Sequence, residues 1–549
     1  MIFFPSLERV NERLSAQLCC VARSEADCAA CSELSDTFET LRGFRKLNIL
    51  CRAILSGKLN HGGWLLGFIV NSQRKSSASY LFALLFLIYS GRQTVIFMKI
   101  YVAGKFLISK LVISFLLATG VQAAAVPAKP SIFQHTLANG LEIIVKPDHR
   151  SPVAAIMVWY RAGSIDEVNG RTGIAHLLEH MMFQGTETVG PGDHARKIAA
   201  TGGRSNAFTS TDYTGYLQEV HNSELELVMQ LEADRMDNLL LRDKEFNNEL
   251  RVVMEERRQR VDDNPRGLLM EQLAAAMYVA HPYRTPIVGW MNDLEHLTIE
   301  DAADWHRRWY VPNNAALVIA GDVEPENVVL LAEKYFGGIK SKLLATRKPQ
   351  EEPARSGSRR VTVQANTTLQ SQIIAYSAPK LSDVEADWEP YALYLLAGVL
   401  DGHSAARLHK RLVLEEKIAH SVSVSYDGLR RGPGAFYVSF SPVEGRTLKE
   451  LEAGWNDEII KLINGEVSDA ELNRVKAQVI AGQVFSGDSV LGQASRMGRM
   501  WAIGFAPDAP DVINEKLSAI TPLQVQEVAK KYLVGSHTTS AILEPKIIN

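Results

Sequence analysis

Two histidines and a glutamate in one short segment have the types and spacing needed to bind and use a metal ion. Residues 171–186 read RTGIAHLLEHMMFQGT, which places His176, Glu179 and His180 at positions i, i+3 and i+4. On a helix these positions share one face. Two histidines at i and i+4 can hold one Zn²⁺, with the carboxylate beside them acting on a water molecule. The alternative is an exposed helix face with incidental charge, but these polar groups interrupt an otherwise apolar run, which favours the metal.

A catalytic zinc requires a third protein ligand and leaves one position for water. The segment 247–260, NNELRVVMEERRQR, is rich in helix formers and predicts a helix. Glu249, Val252, Val253 and Glu256 fall on one face of it, whereas Glu255 is expected in solvent. We therefore predict Glu256 as the third ligand and Glu249 as a carboxylate that orients a ligand histidine. Without the upstream motif, a surface ion pair would be the better interpretation of either glutamate.

A third segment has the pattern of a sheet edge. Residues 205–216 alternate polar and aromatic side chains around Asn206 and Phe208. An exposed edge strand can pair its main chain with an extended peptide, which gives affinity with loose sequence preference. On the sequence alone, an ordinary edge strand is an equally good interpretation.

The elements that must position these residues divide into two halves. A stretch rich in Pro, Lys, Arg, Glu and Ser, residues 341–360, has no apolar period and predicts a solvated linker at 346–360. Strand patterns open each half, with Asn139-Gly140 as a hairpin turn in the first. A helix and an apolar strand close each half with equal spacing. We predict two α+β domains, an N-terminal metal-binding one at 124–345 and a C-terminal one at 361–549.

The cysteines separate the beginning of the chain from the rest. All five of them lie between positions 19 and 51 of the 549 residues. After Met98 come three lysines, an apolar run at 111–121 and then small residues, which is the layout of a secretory signal. We predict a signal peptide at 98–123, with cleavage near Ala123–Ala125. Residues 1–97 are then upstream sequence or a disordered extension. Alternatively, the long form is real and 111–121 belongs to an uncleaved anchor.

Charge and compartment limit the function classes. The formal net charge of −3 argues against a dedicated nucleic-acid binder, which needs a basic footprint. Signal cleavage would deliver an acidic chain without cysteine to the periplasm or the exterior, either free or membrane-associated. A metal in that chain would have to rest on His and Glu.

The motifs together resemble the pitrilysin or insulinase family of zinc peptidases. The His-x-x-Glu-His order is the inverzincin pattern. The resemblance spans essentially all of 130–549 and rests on five further features. These are the stretch at 249–256, the two-half layout, GGRSNAFTSTDYTGY at 202–216, HPYRTPIVGW at 281–290 and RWYVPNNA at 308–315. It implies two homologous α+β halves, each with an antiparallel-rich sheet packed with helices, in the LuxS/metallohydrolase-like pitrilysin fold.

The resemblance also implies roles for individual residues. It implies one Zn²⁺ per chain, with Glu179 as the general base and Glu249 in an assisting role. It implies that an extended substrate pairs with the edge strand. The ligands would be His176, His180 and Glu256, and the substrate-binding residues Asn206, Ala207 and Phe208.

The second half departs from the family pattern. Its counterpart of the zinc motif, YLLAGVLDG at 394–402, contains no His or Glu, as expected of a degenerate copy. Family members use an Arg and a Tyr seven residues later near the substrate carbonyl, whereas Val413 and His420 stand at those positions here. Valine cannot stabilise an oxyanion, and Arg411 is off register. We therefore expect a heterodimer with a related chain that lacks the zinc motif. A homodimer that uses His420 or Arg411 is the alternative.

These observations predict a zinc metalloendopeptidase that hydrolyses oligopeptides or unfolded polypeptides. One rival is a catalytically idle scaffold with the same fold, and another is a peptide-binding accessory subunit. The complete set of His176, Glu179, His180 and Glu256 argues against a scaffold, which has no use for metal ligands. The sequence names neither the substrate nor the cleavage preference.

Overall fold

The computed structural model describes the backbone of residues 65–75, 78–88 and 96–99, and residues 132–546 except 345, 466 and 536. The chain forms two compact units, Met1–Pro127 and Ala128–Asn549. In the first unit, strands β1 (Leu65–Lys75), β2 (Ala78–Ile88) and β3 (Ile96–Lys99) form an antiparallel sheet. The predicted signal peptide lies outside the described residues except for Met98 and Lys99. No helix in the described part of the chain is long and apolar enough to span a bilayer.

The second unit begins with a six-stranded sheet. Its strand order is β4-β5-β9-β6-β8-β7, and all neighbours are antiparallel except β5 and β9. Every residue of β6 except Val153 is buried, because helices cover both faces of the sheet. The strand bounds are β4 Phe133–Thr136, β5 Glu142–Pro147, β6 Val153–Tyr160, β7 Arg204–Thr209, β8 Thr214–His221 and β9 Ala315–Gly321.

Helices of the first half pack on this sheet. Helix α4 continues into a wider π-type turn over Arg258–Asp262. The helix bounds are α1 Ile174–Met181, α2 Asp193–Ala200, α3 Leu225–Asp237, α4 Asp243–Arg257, α5 Pro265–Met277, α6 Met291–Leu294, α7 Ile299–Trp309 and α8 Pro325–Phe336.

The second half builds a five-stranded sheet in the order β10-β14-β11-β13-β12. Its strands are β10 Arg359–Ala365, β11 Ser371–Ala378, β12 Ala419–Asp427, β13 Gly434–Pro442 and β14 Thr538–Pro545. Its helices are α9 Glu389–Asp401, α10 Leu448–Asn464, α11 Asp469–Ser486, α12 Val490–Ile503, α13 Ala509–Ala519 and α14 Pro522–Leu533.

The two halves repeat one topology. In each, a central strand (β6 or β11) leads into a helix (α1 or α9) and then into a hairpin at the sheet edge (β7-β8 or β12-β13). Each half closes with a helix whose N-terminal threonine, Thr298 or Thr521, forms a capping box. The next strand, β9 or β14, then lies parallel to an early strand. This arrangement confirms the predicted α+β fold with two homologous halves.

The halves exchange one helix each. Helix α12 of the second half covers the outer face of the first sheet, where Met497 and Trp501 join a cluster with Trp159. A Cβ at Gly498 would collide with the Trp159 ring, so glycine allows this close approach. Helix α5 of the first half covers the outer face of the second sheet in the same way. Each sheet is therefore buried on its outer face by the other half.

The segment predicted as a solvated linker is mostly exposed, but it is tied down at several points. The Glu352 carboxylate accepts hydrogen bonds from three consecutive backbone N–H groups, at residues 279–281. Arg355 and Arg359 donate to the carbonyls of Met277 and Ala276 at the C-terminal end of α5. Orphan carbonyls at that helix end explain why arginines bind there.

Candidate metal centre

Helix α1 presents its polar face toward α4 because its apolar face is fully buried. Leu177, Leu178 and Met181 lie in the core of the first half. Gly173, the residue before the helix, has a left-handed φ of +86°, and as a glycine it has no side chain that could cap the N-terminus. Glu167 supplies the cap instead, since its two carboxylate oxygens accept the N–H groups of Gly173 and Ala175, both at 2.9 Å.

His176, His180 and Glu256 come together as the sequence predicts. One ligand atom from each lies within 4.8 Å of the others. Glu256 Oε2 is 3.5 Å from Nε2 of His176 and 3.9 Å from Nε2 of His180. Two imidazole nitrogens and one carboxylate oxygen form a donor set that suits Zn²⁺ with an open fourth position.

Glu256 also provides a test of whether this set fits a cation. Its Oε2 atom is buried and accepts no hydrogen bond in the described structure, where its basic neighbours are the two histidines and Arg260 Nη2 at 3.4 Å. A buried carboxylate oxygen without a hydrogen bond is costly. A zinc ion between the two histidines would satisfy it, so the residues fit the metal.

Glu249 contacts His180, one of the two histidines expected to bind the metal. Its Oε2 is 3.0 Å from Nδ1 of His180, and its Oε1 accepts a hydrogen bond of 2.8 Å from Gln184 Nε2. A proton on Nδ1 donated to Glu249 leaves Nε2 of His180 free for a metal. The sequence analysis did not identify Gln184 as a partner of Glu249, although its position four residues after His180 could have suggested it.

Helix α4 places its other residues almost as expected. Val253 is fully buried, and Glu255 is exposed with Arg258 at 3.1 Å. Val252, by contrast, is 44% exposed, so it does not share the face of Glu249 and Glu256. On the helix, Val252 and Val253 flank the two glutamates on opposite sides, about 100° apart, and only the Val253 side faces the core.

Glu179 has a hydrogen-bond partner on the edge strand. Thr209 Oγ1 donates to Glu179 Oε2 at 2.6 Å. Burial raises the pKa of Glu179, although the Thr209 hydrogen bond opposes this shift. Sequence analysis missed Thr209, whose alternation with Ala207 on β7 puts both side chains on the face toward α1.

The pKa values of the two histidines shift in opposite directions. Burial, assisted by the charge of His180, lowers the pKa of His176 to about 3, so its imidazole is neutral and ready to bind a metal. Burial also disfavours charge on His180, but the Glu249 hydrogen bond and the nearby carboxylates raise its pKa overall. Metal binding at His180 therefore has to compete with a proton.

Strand β7 offers an open edge beside the cluster. Within the described residues it pairs only with β8, through Asn206 to Leu217, Ala207 to Tyr216 and Phe208 to Gly215. Asn206 is exposed, and Ala207 packs on the core that contains α1. The Phe208 ring lies on the opposite face of the sheet, 5.2 Å from the Trp159 ring. Phe208 can therefore face a peptide only through its backbone.

The positions that depart from the family pattern have their described contacts in the second half. Val413 packs on the core of that half, and His420 is exposed. Arg411 donates to Glu416 at 2.6 Å and to the carbonyl of Gly454 at 3.2 Å. The described hydrogen bonds of Arg411 thus lie within the second half.

Sequence comparisons match both halves of this unit. The family model described as Insulinase (Peptidase family M16) matches residues 142–289, and the one described as Peptidase M16 inactive domain matches 296–479. The zinc protease PqqE of Helicobacter pylori is 29% identical over 422 residues, covering 75% of this chain and 92% of that protein. An uncharacterized zinc protease of Mycobacterium leprae is 30% identical over 375 residues, covering 66% of this chain and 81% of that protein.

Solved structures share the fold. A protease from Helicobacter pylori superposes with a TM-score of 0.71 at 28% identity, over 76% of this chain and all of that one. The periplasmic protease PqqL from Escherichia coli superposes with a TM-score of 0.64 at 17% identity. That match covers 75% of this chain but only 47% of the PqqL chain, so PqqL is about twice as long as the matched region.

Proposed function

The chain belongs to the insulinase family (peptidase family M16), and on that basis we propose that it is a zinc metalloendopeptidase acting on oligopeptides or unfolded polypeptides. The observation that carries the proposal is the convergence of His176, His180 and Glu256 on one point, with Glu179 beside them. Relatives named zinc proteases support the metal.

His176, His180 and Glu256 would hold one Zn²⁺ per chain. When bound, this ion supplies Lewis acidity, which activates a water molecule and polarises the scissile carbonyl. Glu249 and Gln184 keep the His180 ring in the orientation and tautomer that ligation needs.

Glu179 would move the proton. Its carboxylate accepts a proton from the attacking water and returns it to the leaving amine. Thr209 fixes one carboxylate oxygen, so the other remains available for this transfer. The free edge of β7 at Asn206, Ala207 and Phe208 would bind the substrate main chain as an added strand beside the cluster.

Assembly and compartment extend the proposal. The engagement of Arg411 within its own half and the Val413 and His420 positions support a partner chain that completes the site near the substrate carbonyl. We propose a heterodimer with a related chain lacking the zinc motif, working in the periplasm or outside the cell after cleavage near Ala123–Ala125. Purification from the native source, with identification of the N-terminal residue and of co-purifying chains, tests both points.

Replacement of Glu179 by Gln tests the peptidase. The variant should retain one zinc per chain by elemental analysis and lose hydrolysis of a quenched fluorescent peptide by about 10²–10⁴-fold. Zinc retention with unchanged hydrolysis would contradict the assigned base. Undetectable hydrolysis by the wild type, alone and with any co-purifying chain, would favour the scaffold or the accessory subunit. Full hydrolysis by the isolated chain would contradict the heterodimer.

A further inference from the structure

We propose that Arg431, in the second half of the chain, is a positioning residue for Glu179, because it anchors both elements that support this carboxylate. This inference rests on the proposed function of Glu179. The two elements are the N-terminal end of helix α1, which carries Glu179, and the end of strand β7, which carries Thr209.

Arg431 binds the first half at two loops. Its guanidinium forms two hydrogen bonds with the Asp166 carboxylate, at 2.8 and 3.0 Å. The same group donates to the backbone carbonyl of Asp212 at 2.8 Å, and the backbone N–H of Arg431 donates to the Asp212 carboxylate at 3.3 Å. The Arg431 side chain is 16% exposed and that of Asp166 is 4% exposed, so water competes little with this pair.

The first support runs through the loop before α1. Asp166 and Glu167 are adjacent, and while Asp166 holds Arg431, Glu167 caps α1 through Gly173 and Ala175. Gly173 has no side chain that could replace the Glu167 cap. The position of the α1 N-terminus, four to six residues before Glu179, therefore depends on the loop that Arg431 fixes.

The second support runs through the turn between β7 and β8. Asp212 lies in that turn, three residues after Thr209, whose hydroxyl holds the Glu179 carboxylate. Tyr283 donates to the other side of Asp212 at 2.5 Å and accepts the backbone N–H of Gly432 at 2.7 Å. The turn is thus held between the first half and the loop that contains Arg431.

Close packing fixes the Arg431 loop itself. A Cβ at Gly432 would lie 2.5 Å from the His281 ring, so only glycine permits this approach. The guanidinium of Arg430 stacks over the Tyr283 ring, with its central carbon 3.8 Å from the ring centroid. Arg347 also binds Asp166, at 2.6 Å, so Arg431 is a sharper target for mutation than the shared aspartate.

A second arginine that bridges the halves provides a control, at a more exposed position (61% against 16% for Arg431). Arg150 binds Asp148 in the first half and Asp488 in the second, both through direct hydrogen bonds. None of these described contacts involves the loops that support Glu179. Loss of either arginine removes a contact between the halves, but only loss of Arg431 should disturb the reaction.

The experiment compares Arg431→Ala, Arg431→Lys and Arg150→Ala in the full chain, with its partner if one co-purifies. We expect Arg431→Ala to lower kcat by about tenfold to a hundredfold, because displacements near 1 Å reduce catalysis on that scale. KM and the zinc content should stay within about twofold of wild type. Arg431→Lys, which keeps the charge but loses the forked geometry, should fall between. A kcat loss for Arg431→Ala no larger than for Arg150→Ala would overturn the proposal.

Amide hydrogen exchange gives a readout that does not depend on activity. Exchange at Gly173 and Ala175, and in the turn at 210–213, should be faster in Arg431→Ala than in Arg150→Ala, and equal rates would overturn the proposal. If Arg431→Ala does not fold, the lysine variant is judged by the same two measurements. If wild-type protein shows no hydrolysis dependent on Glu179, the proposed function fails, and the exchange rates alone then decide whether Arg431 holds both supports.

Discussion

Helices α1 and α9 occupy equivalent places in the two halves, but they contact their neighbouring helices through different kinds of side chain. Each follows a central strand and packs near a later long helix, α4 or α11. In α1, polar side chains meet Glu249 and Glu256 of α4. In α9, Gly398 approaches Val475 of α11 so closely that a Cβ would lie 2.6 Å from a valine methyl. The fold therefore does not require the polar cluster, and its buried charge is a cost that only function explains.

The largest effect on zinc binding and hydrolysis should come from removing from α1 a polar group that α9 lacks. His180→Ala removes one of two imidazole ligands, so we expect loss of bound zinc and a fall in peptide hydrolysis of more than about 10³-fold. Elemental analysis and a peptide assay measure both. Because α9 shows that the fold survives without these groups, the metal-free variant should unfold within a few degrees of the metal-free wild type. A much larger drop would mean that His180 is structural.

A smaller loss is expected when the second carboxylate of α4 is removed. Glu249→Ala deprives His180 of its Nδ1 partner and Gln184 of its acceptor, so zinc affinity should fall by about 10–100-fold. Competition with a chelator measures this change. Glu255→Ala, on the exposed side of the same helix, serves as the control and should bind zinc like the wild type. Equal affinities in both variants would remove Glu249 from the site.

A substitution at the close contact between α9 and α11 should change the stability of the protein and leave its catalytic activity unchanged. Gly398→Ala forces a methyl group toward Val475, which should cost about 1–3 kcal/mol in the free energy of unfolding. Urea unfolding measures the cost, and turnover per folded molecule should not change. Val475→Ala removes the methyl groups that the new side chain would meet. The double variant should therefore lose less free energy of unfolding than the sum of the losses in the two single variants. Simple additivity would contradict close packing at this point.

The smallest expected effect concerns pH and the exchanged helix α12. The Arg150 hydrogen bond holds the pKa of Asp148 well below its usual range, and Gln493 of α12 also binds this carboxylate. A lowered pKa in the folded state means that ionised Asp148 contributes stability above about pH 4, and that this contribution disappears as the pH falls further. Asp148→Asn should therefore flatten the acid side of the stability curve. A curve parallel to that of the wild type would show that Asp148 does not contribute.

Features that depend on local spacing could be predicted from the sequence. The face shared by His176, Glu179 and His180 follows from helical period, and the same period selects Glu249 and Glu256. The buried strand β6 follows from its unbroken apolar run, and the repeated closing helices follow from equal spacing. Each of these signals is read from continuous segments of the chain.

Contacts between distant segments could not be predicted in the same way. The hydrogen bond from Thr209 to Glu179 depends on the register of β7 with β8 and on how α1 lies over both. Arg431 and Asp166 are 265 residues apart, and no periodicity connects them. The polar composition of the linker predicts a solvated segment. Glu352 and Arg355 nevertheless bind backbone groups at the end of α5 and in the turn after it, and these groups come together only in the folded chain.

The exchange of α5 and α12 has a consequence for how the chain reaches its folded state. Helix α5 is synthesised long before the sheet that it covers, and the first sheet waits for α12, which comes near the end of the chain. Until then each half exposes apolar surface that is buried in the finished molecule. Cleavage in the 346–360 segment would thus yield two fragments that need each other to be soluble, and that should recombine as an interlocked pair. The halves are repeats in architecture, but the exchanged helices lead us to expect a single cooperative unfolding transition.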